Sequence, residues 1–355
     1  MDTRIPVSIL TGCLGSGKTT LLNRLLAERA MSDTAVIINE FGEIGLDHLL
    51  VTTPAETTVL LEDGCICCTV RGDLVQTLVD LHRRRAAGGL PPFQRVVIET
   101  TGLADPVPII QTVATDEQAG AVYRLDAVIT LIDAVHGSHQ IDTQEEALKQ
   151  LGVADRIVLT KTDIAQASAI AALRQRIAAI NPGATVATAV HGRIPASELF
   201  GAALDGSAYD VERIAQWLRH DAYSEGRHTH HRDIHAFAAV YEEPISGSGL
   251  ATWLTMLASL RGPQLLRCKG LLNVEGQPVA VHAVQTVIHE PVTLERWPDD
   301  DRRSRLVFIT RGLERAAVER TFEAFRLAIP HNATAPRTID PAAYSQFLNA
   351  ARRFR

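Results

Sequence analysis

The stretch Gly12-Cys13-Leu14-Gly15-Ser16-Gly17-Lys18-Thr19 decides the fold of the chain, because it matches the phosphate-binding pattern G-x-x-x-x-G-K-[ST]. It follows an apolar, β-branched run at residues 7–10 and opens an amphipathic segment at residues 19–29, so a strand precedes it and a helix follows it. The backbone N–H groups of such a loop, together with the positive end of the helix, bind phosphate. The pattern therefore predicts a nucleotide-phosphate site.

Each residue type in this loop has a chemical reason to be there. Glycines let the backbone amides turn towards a phosphate, Lys18 neutralises the β and γ oxygens, and the Thr19 hydroxyl holds Mg²⁺. Lys18 and Thr19 are therefore candidate catalytic residues, and Thr19 is also a candidate metal ligand. The nucleotide-binding residues predicted here are Gly12, Gly15, Ser16, Gly17, Lys18, Thr19 and Thr20.

Outside the loop, short apolar runs alternate with longer amphipathic segments, which is typical of a parallel sheet with crossover helices. We predict an α/β fold, in which a P-loop NTPase domain with a mostly parallel sheet is followed by a smaller α+β domain. The strands predicted for the first domain are residues 7–10, 35–38, 95–98, 127–132 and 156–159, and its helices are 19–29, 74–85, 144–151 and 164–180. For the second domain we predict strands at 234–241, 265–273, 279–287 and 305–310 and helices at 250–260 and 315–326.

A polar, histidine-rich stretch separates the two predicted domains. It sets the boundaries at a nucleotide-binding domain over residues 1–222, a linker over 223–233, a C-terminal domain over 234–329 and a tail over 330–355.

The composition is that of an ordinary folded protein, with 46% hydrophobic and 21% charged residues. Thirty-five Lys+Arg against 41 Asp+Glu give a net charge of −6, which does not attract polyanions, so we expect no nucleic-acid partner. No apolar stretch reaches the roughly 20 residues that span a membrane, so we expect no membrane partner and a cytoplasmic location. Five cysteines in 355 residues do not suit a disulfide framework and favour metal or redox chemistry.

A second set of candidate residues follows the predicted strand at residues 95–98. Glu99 stands at the carboxyl end of that strand, where open α/β sheets bind ligands, and it can act in catalysis by holding Mg²⁺ through water. Gly102 follows in the same loop, and its amide can reach the γ-phosphate.

A third set, Thr160-Lys161-Thr162-Asp163, follows a later predicted strand and indicates which base is bound. The Asp163 carboxylate can accept two hydrogen bonds from guanine, which adenine cannot donate, so GTP is favoured over ATP. Lys161 can lie along the plane of the base. The usual guanine motif begins with Asn, and Thr160 departs from it.

A cluster of thiols, Gly64-Cys65-Ile66-Cys67-Cys68, forms the remaining motif. Deprotonated cysteines are soft ligands that suit zinc or a similar metal. So short a loop cannot complete a site alone, and a further ligand must come from elsewhere. A buried chance cluster and a redox pair are the alternative interpretations.

Taken in this order, the motifs of the chain resemble those of the CobW-like GTPases. They are the phosphate loop, Asn39-Glu40-Phe41-Gly42, the C-x-C-C loop, Glu99-Thr100-Thr101-Gly102 and Thr160-Lys161-Thr162-Asp163. The second half, around Leu266-Arg267-Cys268-Lys269-Gly270, is similar to the family's C-terminal domain. Gly102-Leu103-Ala104-Asp105-Pro106 resembles the YjiA-type branch.

The resemblance implies a metal-binding GTPase that delivers zinc, cobalt or a related ion to client proteins. Its cofactors would be GTP with Mg²⁺ and Zn²⁺ or Co²⁺, its partner would be a client metalloprotein, and a homo-oligomer is compatible with it. The family's metal motif is carried by Cys65, Cys67 and Cys68, and residues 39–47 match its first switch, where Glu40 and Glu43 are candidate metal ligands. Some relatives have an acidic residue before the Asn, where this chain has Ile38.

The histidines at 228, 230, 231 and 235 could capture a metal before it reaches the cysteines, or they could belong to a solvated loop. Two other classes of function also remain open. A metal store or sensor would bind metal equally with or without nucleotide, and a small-molecule kinase would consume ATP with an acceptor.

Overall fold

A parallel sheet forms in the first part of the chain, which confirms the predicted α/β fold class. The computed structural model describes residues 3–38, 59–62, 71–203, 211–224 and 233–326. The strands of this sheet are β1 (Ile5–Gly12), β2 (Thr34–Ile38), β3 (Val59–Glu62), β4 (Arg95–Glu99), β5 (Tyr123–Asp133), β6 (Arg156–Thr160) and β7 (Thr185–Ala189). They pair in parallel in the order β3-β2-β4-β1-β5-β6-β7.

Helices connect these strands and cover both faces of the sheet. They are α1 (Lys18–Leu26), α2 (Arg71–Ala86), α3 (Val107–Thr115), α4 (Glu117–Val122), α5 (Gly137–Thr143), α6 (Glu145–Val153) and α7 (Ala167–Ile180). One core cluster packs α2 and α3 on one face, and a second packs the leucines of α1 on the other. The central strands are buried on both faces, which explains why their sequences read as continuous apolar runs.

The second part of the chain forms an antiparallel sheet. Two short helices, α8 (Val211–Leu218) and α9 (His220–Ser224), precede it, and α10 (Gly247–Arg261) and α11 (Arg315–Glu319) lie within it in sequence. The strands are β8 (Ile234–Tyr241), β9 (Leu265–Val274), β10 (Gln277–Val284), β11 (Val287–Ile288), β12 (Val292–Thr293) and β13 (Ser304–Arg311). Their order is β11-β10-β9-β13-β8, with β12 paired to β10.

Two predicted elements of the second part were wrong in detail. The strand predicted over residues 279–287 is broken, because Gln285 has φ of 49° and turns the chain between β10 and β11. The helix predicted over residues 315–326 is α-helical only to Glu319 and continues as a 3₁₀ helix over Arg320–Arg326. In that 3₁₀ stretch Phe322 and Phe325 pack around Trp253.

The two sheets share buried contacts. Ile214, Trp217 and Leu218 of α8 pack with residues of the antiparallel sheet, although they precede the predicted linker. Leu266 of β9 contacts Gly152 of α6, where a Cβ would lie 2.7 Å from the leucine side chain. The predicted domain boundaries, including the linker and the tail from residue 330, stay a prediction. None of the helices in the described ranges is long and apolar enough to cross a membrane.

Candidate nucleotide site

The phosphate loop joins β1 to α1 at the carboxyl edge of the parallel sheet. Gly12, Gly15 and Gly17 have φ of 143°, 75° and 92°. At Gly12, a Cβ would lie 2.4 Å from the carbonyl oxygen of Leu131 on the adjacent strand, so only glycine fits there. The motif therefore has the strand, loop and helix geometry that its chemistry requires.

Lys18 points back across this loop. Its Nζ donates hydrogen bonds to the carbonyl oxygens of Gly12 at 2.9 Å and Cys13 at 3.2 Å, and the residue is buried. The neighbouring Ser16 is buried, whereas Thr20 is exposed on the first turn of α1. The ammonium group is thus held at the loop, where it can offset phosphate charge.

Thr19 and Glu99, which are 80 positions apart in sequence, meet at the sheet edge. Thr19 Oγ1 donates to Glu99 Oε1 at 3.2 Å. The meeting follows from the pairing of β1 with β4, in which Leu10 lies opposite Glu99. Hydroxyl and carboxylate oxygens are the ligand types that Mg²⁺ prefers, so the donor set fits this ion.

Gly102 packs directly on the phosphate loop. A Cβ at this position would lie 2.4 Å from the backbone nitrogen of Leu14 and 2.6 Å from its Cα. Only a residue without a side chain lets the two loops approach this closely. The backbone after β4 therefore borders the phosphate loop, as the predicted contact of the Gly102 amide with a γ-phosphate requires.

Thr160 stands where the usual guanine motif has Asn, and its side chain has a structural role. Its Oγ1 donates to the carbonyl oxygen of Ser16 at 2.7 Å, which ties the segment that follows β6 to the phosphate loop. A threonine is long enough for this contact, because β6 ends close to the loop: a Cβ added at Gly17 would be in ordinary van der Waals contact with the Thr160 side chain, at 3.8 Å.

Lys161 is fixed by a residue that the sequence analysis missed. Its Nζ pairs with Asp133 Oδ2 at 2.7 Å, and the side chain of Asp133 is 2% exposed. Asp133 also accepts from the backbone nitrogen of Val135 at 2.7 Å. The sequence signal that could have identified Asp133 is its position as an acidic residue directly after the apolar run at residues 127–132.

Asp163 also has an unpredicted neighbour, His191. The His191 Nε2 lies 3.7 Å from Asp163 Oδ2, on a loop that follows β7. Neither β7 nor His191 was predicted from the sequence. The strand Thr185-Val186-Ala187-Thr188-Ala189 alternates but carries only one bulky apolar residue, so its periodicity gives little signal.

The predicted metal ligands Cys65, Cys67, Cys68, Glu40 and Glu43 lie outside the described residues. So do the histidines at 228, 230 and 231, whereas His235 lies within β8. Two other cysteines, Cys13 and Cys268, are buried as free thiols. In the ranges that the structure covers, no group of three or more His, Cys, Asp or Glu side chains could hold a metal ion.

The strands that lead into the predicted metal-binding segments end at the edge that carries the phosphate loop. β2 ends at Ile38, which pairs with Glu99, and β3 ends at Glu62, which pairs with Ile38. β2 and β3 therefore end on the side of the sheet that carries Thr19 and Glu99, because all strands of this sheet run parallel.

Two family models match the chain. Residues 6–188 match the CobW/HypB/UreG nucleotide-binding domain, and residues 234–326 match the cobalamin synthesis protein cobW C-terminal domain. The two matches cover the parallel and the antiparallel sheet respectively.

Relatives with similar sequences carry metal-related names. The chain is 36% identical over 324 residues to the zinc chaperone YjiA of Escherichia coli strain K12, which covers 91% of this chain and 99% of that protein. It is 35% identical over 219 residues to the zinc-regulated GTPase metalloprotein activator 1 of Schizosaccharomyces pombe, which covers 59% of this chain and 51% of that protein. Among solved structures, that of Zn(II)-bound YjiA GTPase from E. coli matches with a TM-score of 0.68 and 32% identity, over 91% of this chain and 99% of the other.

Proposed function

Because the chain belongs to the CobW/HypB/UreG family of nucleotide-binding proteins and is a GTPase, we propose that it couples GTP binding and hydrolysis to the delivery of zinc into client metalloproteins. The names of the relatives, zinc chaperone and zinc-regulated GTPase metalloprotein activator, support zinc as the cargo. We also propose that the protein is cytoplasmic. Cobalt is a second candidate metal, which the experiment below tests.

One observation carries the coupling. The phosphate loop, the Thr19–Glu99 pair and the ends of β2 and β3 share one edge of the parallel sheet. The segments that begin at these two strand ends contain Glu40, Glu43, Cys65, Cys67 and Cys68, which we propose as the zinc ligands. A nucleotide at this edge is thus close in the fold to the points where both metal-binding segments begin.

In this proposal the chain's own residues act on GTP by positioning and by charge. Lys18 and the amides of the loop offset charge on the β and γ oxygens, and the Gly102 amide contacts the γ-phosphate. Thr19 and Glu99 would hold Mg²⁺ with their side-chain oxygens, and the ion would neutralise negative charge that develops on the phosphates. Asp163 accepts hydrogen bonds from guanine.

The test is zinc affinity by chelator competition, with a non-hydrolysable GTP analogue plus Mg²⁺ and with GDP. Coupled sites typically differ by about five- to 150-fold in affinity, and we expect tighter binding with the analogue. Replacing Cys65, Cys67 and Cys68 by alanine should abolish the tight site and spare GTP binding. Cys268→Ala is the matched control, because this cysteine is buried in the core of the second sheet and should leave zinc affinity unchanged.

Equal zinc affinities in the two nucleotide states would contradict the coupling and leave a metal-binding GTPase without a delivery cycle. A tight site that survives loss of the three cysteines would contradict the ligand set. Repeating the titration with Co²⁺ measures the preference between the two metals.

A further inference from the structure

Gln150, on α6, connects two loops of the nucleotide site through one side-chain amide. Its Nε2 donates to the carbonyl oxygen of Ala104 at 2.9 Å. Its Oε1 accepts the thiol hydrogen of Cys13, with sulfur and oxygen 3.9 Å apart. Cys13 belongs to the phosphate loop, and Ala104 lies two residues after Gly102. The residue is completely buried, and no motif in the sequence marks it.

The chemistry of the two partners fixes the orientation of this amide. A carbonyl oxygen can only accept, so the NH₂ group must face Ala104 and the amide oxygen must face Cys13. Burial raises the pKa of the Cys13 thiol, although Lys18 opposes this, so the sulfur keeps its hydrogen and remains a donor. A buried amide that lacked partners would be costly, which holds Gln150 in this one arrangement.

A second side chain of α6 holds the same loop. Lys149 Nζ lies 3.3 Å from Asp105 Oδ2, and Asp105 Oδ1 accepts from the backbone nitrogen of Val107 at 3.0 Å. Two consecutive residues of α6, Lys149 and Gln150, therefore hold the loop after β4. At Gly102 the same loop packs against Leu14 of the phosphate loop.

Two hydrogen bonds anchor helix α6 at and near Gln150. The backbone carbonyl of Gln150 accepts from Thr130 Oγ1 at 2.8 Å, and the carbonyl of Val153 accepts from Arg267 Nη1 of the second sheet at 2.6 Å. Since α6 is held by β5 and by β9, it provides a rigid support from which Gln150 can set the position of the loop.

We propose that Gln150 is a positioning residue for GTP hydrolysis. It holds the loop after β4 close to the phosphate loop, so that the Gly102 amide can contact the γ-phosphate. This inference rests on the role proposed above for Gly102. GDP has no γ-phosphate, so its binding does not depend on the position of this loop. The contact that Gln150 makes with the phosphate loop involves a thiol, which is a weak donor. Loss of both side-chain contacts should therefore lower hydrolysis through the loop after β4 and change GDP affinity little.

The test compares Gln150→Met with Thr321→Val in the full-length protein. Gln150→Met keeps the length of the side chain and removes both amide contacts. Thr321→Val removes two buried hydrogen bonds in the second part of the chain, from Trp253 Nε1 at 2.7 Å and to the carbonyl oxygen of Val318 at 2.6 Å. A hydrogen bond of about 0.5–1.5 kcal/mol corresponds to about a two- to tenfold fall in the single-turnover rate of GTP hydrolysis for Gln150→Met. GDP affinity should stay within about twofold for both variants, and Thr321→Val should lower the melting temperature without lowering the rate.

Gln150→Leu provides a second variant, because it removes both amide contacts with a shorter, branched apolar side chain. We expect a fall in rate at least as large as for Gln150→Met. An unchanged rate in either folded Gln150 variant, or an equal fall in Thr321→Val, would overturn the inference. A parallel fall in GDP affinity would do the same.

Gly102→Ala separates this inference from the function on which it rests. If Gly102→Ala hydrolyses GTP at the full rate, the proposed role of Gly102 is wrong. If Gly102→Ala loses hydrolysis while Gln150→Met retains it, only the positioning role of Gln150 is wrong.

Discussion

Arg267 of the second sheet donates a hydrogen bond to Asp155, which follows α6 in the nucleotide-binding part of the chain. Both side chains are buried, at 4% and 8% exposure. Lys269 lies 3.3 Å from the same carboxylate oxygen and also donates to the carbonyl of Trp217. Burial by itself raises the pKa of Asp155, but the two cations outweigh this effect and lower the pKa to about 2. The Arg267-Cys268-Lys269 segment thus fastens the two sheets to each other.

Arg267→Met should destabilise the protein strongly. The substitution leaves the Asp155 carboxylate buried with one cation fewer, and breaking a buried pair costs about 3–5 kcal/mol. Arg311→Met is the matched control, because Arg311 pairs with Glu145 across the same two parts of the chain at an exposed position. That pair is screened by solvent and should contribute little to stability. Urea unfolding at pH 7 measures both, and equal losses would contradict the importance of burial here.

Stability should fall between pH 8 and pH 5 because of two stacked histidines. His282 and His289 lie with their ring centroids 4.4 Å apart beside a cavity of about 410 Å³ between the two sheets. Burial lowers the pKa of His289 to about 4 and lowers that of His282 well below the usual value. The folded state therefore resists protonation that the unfolded chain accepts below a pKa of about 6.5. The contribution of these two histidines to stability is complete above that pH and is lost as the pH falls towards 4.

The pKa of His289 alone corresponds to a loss of about 2 kcal/mol in the free energy of unfolding at pH 5. Urea titrations at pH 8, 6.5 and 5 measure it. The double variant His282→Gln and His289→Gln should flatten the profile. Asp155 does not contribute in this window, because its pKa of about 2 keeps it ionised. Burial lowers the pKa of Lys269 to about 7, so the difference between pH 6.5 and pH 5 is the part that reports on the histidines. A wild-type slope that persists in the double variant would assign the pH dependence to other groups.

Asp163→Ala should remove the preference for guanine. The carboxylate would form charge-assisted hydrogen bonds, so GTP binding should weaken by about 1.5–3 kcal/mol while weak ATP binding changes little. Calorimetric titration with both nucleotides measures the ratio. His191→Ala serves as a comparison, because it removes the neighbour of Asp163 without removing the acceptor and should have a smaller effect. Equal competition by ATP and GTP in the unmutated protein would refute the assignment of base specificity.

Thr160→Val should weaken GTP and GDP binding alike. The hydroxyl that supports the phosphate loop through the Ser16 carbonyl is lost, and one hydrogen bond contributes about 0.5–1.5 kcal/mol. Thr160→Asn, which restores the residue usual in guanine motifs, should bind both nucleotides better than the valine variant. Fluorescent-nucleotide titrations provide the affinities. If the valine and asparagine variants bind equally, the contact with Ser16 does not support the site.

The parts of the fold and site that could be predicted are those encoded by neighbouring residues. Local patterns mark the phosphate loop, the central strands and the Thr160-Lys161-Thr162-Asp163 segment. Each pattern consists of residue types within a few positions, such as glycines in a loop, a polar group at a strand end or a buried apolar run. From these patterns the meeting of Thr19 with Glu99 also followed, since the carboxyl ends of parallel strands share an edge. Weakly apolar strands such as β7 lacked such a pattern and were missed.

By itself, the sequence determined the fold class, the nucleotide it binds and the chemistry of the candidate ligands, since each depends on residue types at short spacing. Tertiary structure alone decided which distant residues support them: Asp133 beneath Lys161, His191 beside Asp163, Gln150 between Cys13 and Ala104, and Arg267 on Asp155. These partners are separated by 28 positions for Asp133 and Lys161 and by 112 for Arg267 and Asp155. A buried polar side chain needs a partner somewhere in the fold, but only the packing of the elements selects which one.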